Sequence, residues 1–386
     1  MPFAVAAVRM LGEAGHEVYA ADTFHTSPGS HSAGVTEAFI VPPPVQEPNA
    51  FIGALADIID EHDIDMLVPC FEEVFFIAHN KPLLATKTEV FCPDFETLAK
   101  LHNKATFTEW CQRNSLPIPE TAVARSRAEL DEATKRFDPF FARAAYSRGG
   151  VELFTNEGPL AGVVKLEDTE PTPGNPWVVQ GFVKGTDLCS YSIVRDGKVQ
   201  LHLTYEHPIT IEHAGGIQFV SIDEPGTLDI AAKIAQLTNY TGQLSFDYMR
   251  HEDGSLTLVE CNPRPTDGVA LLDAETYSYA LTGTGPFAST SGDTWVLEAG
   301  RSKEIKTAIM RDMIRDWHEI PRDARALVTG DDLYGERGDM RPALYQFLSY
   351  SHVLAFRHQM HTGKHKHSDI MEAQFYDISW DGSPIE

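Results

Sequence analysis

Cysteine is scarce in this chain of 386 residues. The five present, Cys70, Cys92, Cys111, Cys189 and Cys261, are scattered and never form a C-x-x-C pair. That pattern excludes a disulfide-stapled fold and a cysteine-spaced zinc site, and it fits reduced thiols. Basic residues are few, 31 Lys and Arg against 56 Asp and Glu, which gives a net charge of −25. Such a charge repels a phosphate backbone and no basic run offsets it, so no nucleic-acid partner is expected. No apolar run approaches the length of a membrane span, and the N-terminus lacks the basic region and cleavage site of a leader. A cytoplasmic protein without membrane contact is the expectation. Internal repeats and low-complexity tracts are absent too. What is there is a chain of 42% hydrophobic residues, long enough for two or three packed subdomains with a real core.

The strand and glycine-rich turn that usually open a doubly wound domain are also missing, because residues 2–11 already read as helix, with proline in the first turn. Strands are expected at 18–21, 39–41, 66–69 and 90–92. Between them a helix over 49–62, capped by Asn49, carries Phe51, Ile52, Leu55, Ile58 and Ile59 on one face. This alternation implies a parallel sheet covered on both faces, with its first strand lacking. One helix is expected over 101–112 and another over 128–136. From residue 140 the pattern turns to strands, at 140–145, 177–183, 188–194 and 199–205. A helix at 227–237 and strands at 244–249 and 256–261 follow. The fold class is α/β, becoming α+β in the middle part.

The strongest local signal lies between Ser245 and Arg264. Asp253-Gly254 between two alternating strands marks a two-residue hairpin turn. With Glu252 opposite Ser255, counting back sets Asp247 opposite Glu260, and Asn262 falls on the same face two residues on. Carboxylates opposed in a ladder repel unless something positive lies between them. Two carboxylates and an amide oxygen form a hard-oxygen set suited to Mg²⁺ or Mn²⁺, with substrate phosphates completing the shell. Arg264, just beyond, suits a phosphate or a developing negative charge. A solvent-facing acidic edge is the other reading these residues allow.

Asp247 followed after thirteen residues by Glu260-Cys261-Asn262-Pro263-Arg264 resembles the metal-binding hairpin of ATP-grasp enzymes, a family that includes carbamoyl-phosphate synthetase, biotin carboxylase and D-alanine–D-alanine ligase. Other stretches match in order over about residues 1–300. Leu101-His102-Asn103-Lys104 looks like the first phosphate-lysine helix. Trp177 to Gly185 resembles the hinge strand for adenine, and Asp187 falls where a ribose-binding acid is usual. Within the family the chain looks closest to stand-alone ligases of the carbamoyl-phosphate-synthetase-like group, among them the mycosporine-glycine-forming ligase. The resemblance implies an N-terminal α/β domain at 1–95, an ATP-grasp domain at 96–300 with a lid at about 120–185, and a C-terminal extension at 301–386.

It also implies a chemistry. ATP and Mg²⁺ would activate a carboxylate as a phosphorylated intermediate, which an amine then attacks, so the partners are a small-molecule acid and amine. Asp247, Glu260 and Asn262 would hold metal. Lys104 and Arg143, the latter standing where a second phosphate lysine is usual, would neutralise phosphate, and Arg264 would steady the acyl-phosphate. Ser147, Gly149 and Gly150 would cover the phosphates. Gln180, Gly181, Phe182 and Val183 would hold adenine and Asp187 ribose. Taken singly, Lys104 also reads as a solvated helix residue, and 147–150 as an ordinary turn. Candidate substrate residues are Glu72 and Glu73, beyond a strand end, with helix capping as their alternative role, and His207 and Asp267. His361 and His365 would chelate a metal if helical, within a tract from His358 to His367 that otherwise reads as a loop. A homodimer is expected from the family habit. A phosphotransferase that releases a phosphorylated product, or a non-catalytic ATP sensor, are the competing functions.

Overall fold

The computed structural model describes residues 1–148, 152–158, 160–162, 164–165, 169–211, 215–283, 294–315, 326–327, 330–360 and 373–386, the side chains of 311–315 and 359–360 excepted. The N-terminal part runs α1 (Pro2–Glu13), β1 (Tyr19–Asp22), β2 (Glu37–Ile40), α2 (Pro48–Glu61), β3 (Met66–Leu67), α3 (Glu73–His79), α4 (Lys81–Leu84) and β4 (Glu89–Val90). β1 pairs β2 and β3 pairs β4, both parallel as the alternation implies. Among the described residues these make two separate ladders in place of one continuous sheet. Their strands are only two to four residues long. The helix α1 packs on the 267–271 turn and a later helix.

Two helix expectations need correction. Asn49 lies inside α2, which starts at Pro48 after Glu47; proline suits a first helical turn because it lacks only an N–H that would be unpaired there. The single helix expected over 101–112 is two, α5 (Phe95–His102) and α6 (Lys104–Arg113). Asn103 between them is extended, and its Oδ1 accepts from Ala105 N at 3.0 Å and Thr106 N at 3.1 Å. An asparagine side chain competes for such amides and so starts a new helix. The break puts Lys104 in the first turn, where its amide donates to the Ala145 carbonyl at 3.1 Å.

A four-stranded antiparallel sheet follows, from β5 (Thr121–Ala124), β6 (Phe140–Ala144), β7 (Leu153–Thr155) and β8 (Trp177–Gly181), with α7 (Arg127–Arg136) between β5 and β6 in sequence. Leu130, Ala133, Phe137, Phe140, Trp177 and Val179 form its own core.

The large sheet comprises β9 (Thr186–Arg195), β10 (Lys198–Glu206), β13 (Gln218–Ile222), β14 (Gly242–Arg250), β15 (Leu256–Asn262), β16 (Trp295–Val296), β17 (Ser302–Glu304) and β18 (Asp331–Asp332). The remaining elements are the short ladder β11 (Thr210–Ile211) with β12 (Gly215–Gly216), and the helices α8 (Pro225–Thr238), α9 (Ala274–Thr282), α10 (Lys306–Arg315) and α11 (Arg341–Met360). Strands alternate their side chains between faces. Leu244, Phe246 and Tyr248 of β14 pack with Leu188, Val194 and residues of α6 and α8. Tyr191 and Ile193 of β9 take the opposite face, under α1, α9 and the 267–271 turn. Asp247, opposite Cys189, lies on that second face, at the end of its apolar cover.

Residues after 300 complete this sheet through β17 and β18 and also return to the N-terminal part. The Asp377 carbonyl accepts from Val45 N at 3.2 Å. Trp380 stacks on Phe75 at 4.9 Å and meets Phe95 edge-on at 5.2 Å. Truncating a buried tryptophan costs about 3–5 kcal/mol. Trp380→Ala should therefore lower the urea midpoint by the equivalent of that amount, and an unchanged midpoint would show that the tail adds nothing to the fold.

Candidate active site

The hairpin of β14 and β15 reaches the expected register by an unexpected route. Arg250 pairs with Leu256, and His251 N donates to the Ser255 carbonyl at 2.9 Å, so the loop is a three-residue one over 252–254. Gly254 takes the left-handed position that such a loop requires, at φ 83°. A bulge at Val259 then shifts the pairing by one residue, and Asp247 faces Glu260 after all. Bulges re-aim side chains at sites of this kind. The Val259 carbonyl accepts from Arg143 Nη2 at 2.7 Å.

Cations do sit against the opposed carboxylates, all on one of them. Glu260 Oε1 lies 3.0 Å from Lys104 Nζ, and Oε2 accepts from Arg143 Nη1 at 2.6 Å. Burial alone would raise the Glu260 pKa, but Lys104 and then Arg143 outweigh it and bring it down to about 2. Lys104 also donates to the Ser147 carbonyl at 2.8 Å. Asp247 has no such help. It accepts from Cys189 Sγ at 3.0 Å and from Asn262 Nδ2 at 3.1 Å. Burial, then the charges of Glu260 and Asp187, push its pKa up to about 6.

Arg264 completes the cluster. Its Nη2 donates to Asn262 Oδ1 at 3.2 Å, and its guanidinium stacks 4.4 Å over the Phe71 ring. Among the described residues the buried Nε groups of Arg143 and Arg264 have no hydrogen-bond partner, although Arg264 Nε forms a looser ion pair with Glu72 Oε1 at 4.0 Å. Two carboxylates, an amide oxygen and two guanidinium groups with buried donors to spare fit a divalent cation with an anion beside it.

The candidate substrate acids divide. Glu73 Oε1 accepts from Cys70 N at 2.6 Å and Phe71 N at 2.9 Å, so it closes the turn ahead of α3 and does not cap the helix itself. Glu72 is fully buried and closed to a substrate. Arg148 Nε reaches both its oxygens at 2.8 and 3.0 Å, and Trp380 N donates at 3.1 Å. Burial works to raise its pKa, yet Arg148, His102 and Arg264 bring it down to about 2. The Arg148 Nη2 also bonds the Trp380 carbonyl, so Arg148 and the C-terminal segment meet on one carboxylate. Asp267 differs: its Oδ1 is buried without a hydrogen-bond partner among the described residues, and burial pushes its pKa up to about 6 despite His207, the N-terminal ammonium and Arg264. His207 Nδ1 lies 3.5 Å from Asp187 Oδ2, and its ring packs on Tyr205 and Phe219. A Cβ on Gly216 would meet that ring at 2.2 Å, so glycine is required there.

Among the expected nucleotide residues, Ser147 is buried with Oγ on the Ala144 carbonyl at 2.8 Å. Gln180, expected beside adenine, is buried, and its Nε2 donates to Thr121 Oγ1 at 3.0 Å, tying β8 to β5. Gly181 N donates to the Glu120 carbonyl at 3.1 Å and Phe182 N to the Pro139 carbonyl at 3.0 Å. Sheet pairing on both sides of β8 consumes those amides, which leaves Val183 as the next amide along the edge. Gly149, Gly150, His361, His365 and His367 lie outside the described residues, and His358 is exposed on α11.

Sequence reasoning missed Arg148 as the partner of Glu72, the tail at Trp380, and Cys189 beside Asp247. A signal for Cys189 exists. Asp196-Gly197 is a true two-residue turn, both residues left-handed at φ 47° and 73°, and Arg195 pairs with Lys198. Counting back from it brings Cys189 close to Tyr205.

No protein-family model matches this chain, and no curated protein matches it in sequence. Solved structures do. N5-carboxyaminoimidazole synthetase from Staphylococcus aureus, complexed with ADP, is 14% identical, with a TM-score of 0.60 over 83% of this chain and 84% of that one. Phosphoribosylamine–glycine ligase from Thermotoga maritima is 17% identical, with a TM-score of 0.56 over 77% and 75%. The biotin carboxylase domain dimer of 2-oxoglutarate carboxylase from Hydrogenobacter thermophilus, in complex with MgADP, ADP and bicarbonate, is 14% identical, with a TM-score of 0.55 over 73% and 68%. These likenesses establish the fold, which is the ATP-grasp fold.

The unequal treatment of the two carboxylates predicts opposite effects on the ligand-free protein. Asp247 holds its proton better folded than unfolded, so its contribution to stability is present at low pH and is lost as pH rises toward 6. Asp247→Asn should stabilise the protein at pH 7.5 by on the order of 1–3 kcal/mol, with the gain vanishing near pH 4. Glu260→Gln should destabilise it by roughly 3–5 kcal/mol, because Lys104 and Arg143 are left buried and unpaired. Thermal melts at the two pH values decide this, and equal shifts in both variants would sink it.

Proposed function

We propose that this chain is an ATP-dependent ligase that activates a carboxylate by phosphorylation and couples it to an amine. The observation that carries the reading is Glu260 shared by Lys104 and Arg143, opposite an Asp247 whose ionisation is penalised. In that arrangement the Glu260 carboxylate stands where a phosphate would be welcome. Two cations are already gathered, and the two acids are short of the positive charge a divalent ion brings. Structural relatives crystallised with ADP or MgADP support the same cofactors here, ATP with Mg²⁺.

Bound ATP would supply a phosphoryl group that turns a carboxylate oxygen into a leaving group. The chain's own residues do the rest. Asp247, Glu260 and Asn262 hold the divalent ion. Lys104 and Arg143 are released by Glu260 to neutralise phosphate. Arg264, placed by Asn262, the Phe71 ring and the Glu72 carboxylate 4.0 Å away, would turn its guanidinium charge to the acid being activated. Asp187 would take the ribose, the backbone at Val183, just beyond β8, the adenine, and Ser147 would lie toward the phosphates. Asp267 has the free oxygen and the raised pKa suited to receiving the amine's proton near neutral pH. Glu72 acts on the substrate only indirectly, by holding Arg148.

The test is ADP release with Mg-ATP across a matrix of carboxylic acids and amines, with products read by mass spectrometry. ADP release that needs both partners and gives a product one water lighter than their sum supports ligation. A phosphorylated acid formed without any amine would establish a phosphotransferase instead. Tight nucleotide binding without turnover across the matrix would favour a sensor, and no nucleotide binding in calorimetry would overturn the reading altogether. Asp247→Asn, Glu260→Gln and Lys104→Met should each lower turnover by on the order of 10²–10³. Activity should fall as pH drops through about 6, where Asp267 takes up its proton. Asp267→Asn should lose about 10²-fold and flatten that acid limb.

A further inference from the structure

The ladder that places Asp247 also gathers donors that a magnesium ion does not use. The β9–β10 hairpin turns on Asp196-Gly197, and a bulge at Gln200 sets Cys189 opposite Tyr205. Two residues further along each strand, Asp187 and His207 come together, 3.5 Å from carboxylate oxygen to ring nitrogen. On the other side of β9, Asp247 stands opposite Cys189 and accepts from its thiol at 3.0 Å. One donor atom from each of Asp187, Cys189 and His207 lies within 4.8 Å of the others. We propose that Cys189, His207 and Asp187, with Asp247 as fourth ligand, form a binding site for a thiophilic divalent cation of the zinc class.

Geometry and chemistry both favour such an ion. A tetrahedral zinc with bonds of about 2.0–2.3 Å needs its donors about 3.3–3.8 Å apart. Asp187, Cys189 and His207 therefore have to close by no more than about 1.5 Å, while Asp247, 3.0 Å from Cys189 Sγ but outside that group of three, has to turn toward it. Asp187 can supply that movement, since its side chain is 60% exposed, whereas His207 is only 13% exposed and is held against Phe219 by the room that Gly216 leaves. Thiolate and imidazole are donors that zinc and cobalt accept readily, while magnesium takes oxygen. On binding, the Cys189 thiol gives its proton to solvent and its sulfur goes to the metal, so uptake releases acid. Asp247 cannot serve this ion and a magnesium ion fully at once. A consequence, which rests on the nucleotide reading above, is that the thiophilic ion and Mg-nucleotide weaken each other.

Titrating the full-length protein with Co²⁺ tests the site without any assay of turnover. A saturable thiolate-to-cobalt charge-transfer band at one ion per chain is expected. It should be abolished in Cys189→Ser and unchanged in Cys70→Ser. In His207→Gln the affinity should fall at least about tenfold, the loss that even outer-shell changes cause. Circular dichroism identifies any variant that fails to fold, and if Cys189→Ser does, Cys189→Ala takes its place. No band in the wild-type protein, or a band that survives loss of Cys189, overturns the proposal. Mg-ADP should weaken cobalt binding. A band indifferent to a nucleotide that calorimetry shows to bind removes the sharing of Asp247 and leaves the cation site standing, while absence of nucleotide binding counts against the ligase reading alone.

Discussion

Two carboxylates forced into one cross-strand pair set the terms for everything around them. The hairpin puts Asp247 and Glu260 face to face, and the fold answers by giving one of them both available cations. Lys104 arrives because Asn103 ends one helix and starts another just before it. Arg143 arrives on β6, a strand of the other sheet, and is fixed to the carbonyl of the bulged Val259. Three separate parts of the chain thus converge on a single charge. The resulting site is strained electrically on one side and satisfied on the other, which is how a ligand-free pocket stays folded while remaining receptive to a cation and an anion together.

The alternation of the large sheet decides where this chemistry lies. One face of β14 carries Leu244, Phe246 and Tyr248 and belongs to the core with α6 and α8. The other carries Gln243, Ser245 and Asp247 as successive steps. Ser245 Oγ bonds the Arg264 carbonyl at 2.9 Å, and Thr266 bridges it to Tyr205 through two contacts of 3.0 Å. Those bonds hold the segment after β15 against the sheet and keep Arg264 and Asp267 turned toward the acids.

The sequence made the hairpin readable because residue spacing fixes which side chains share a face. The right pair emerged although the loop is one residue longer than the Asp-Gly signal implies, because the bulge at Val259 compensates. No local pattern announces a bulge of that kind, and the carbonyl of the bulged residue is held by Arg143, which is distant in sequence. The Glu72–Arg148–Trp380 meeting was illegible for a similar reason, as its members lie 76 and 232 residues apart and only packing unites them. The bond from the Gln180 side chain to Thr121 was illegible too, because the two residues lie 59 positions apart and only the pairing of β8 with β5 joins them. Fold class and the acid–amide set were within reach of pattern, while ion-pair partners between distant elements were not.

The tail bears on how this protein is handled as a molecule. The Trp380 backbone is bonded at both N–H and carbonyl to the Glu72–Arg148 pair. A bulky group attached beside Trp380 would therefore bear on Arg148 as well. The surroundings of Trp380 are thus a poor place for attachments and a good place for a reporter, because a fluorophore near its indole would sense the arrangement of Arg148 directly.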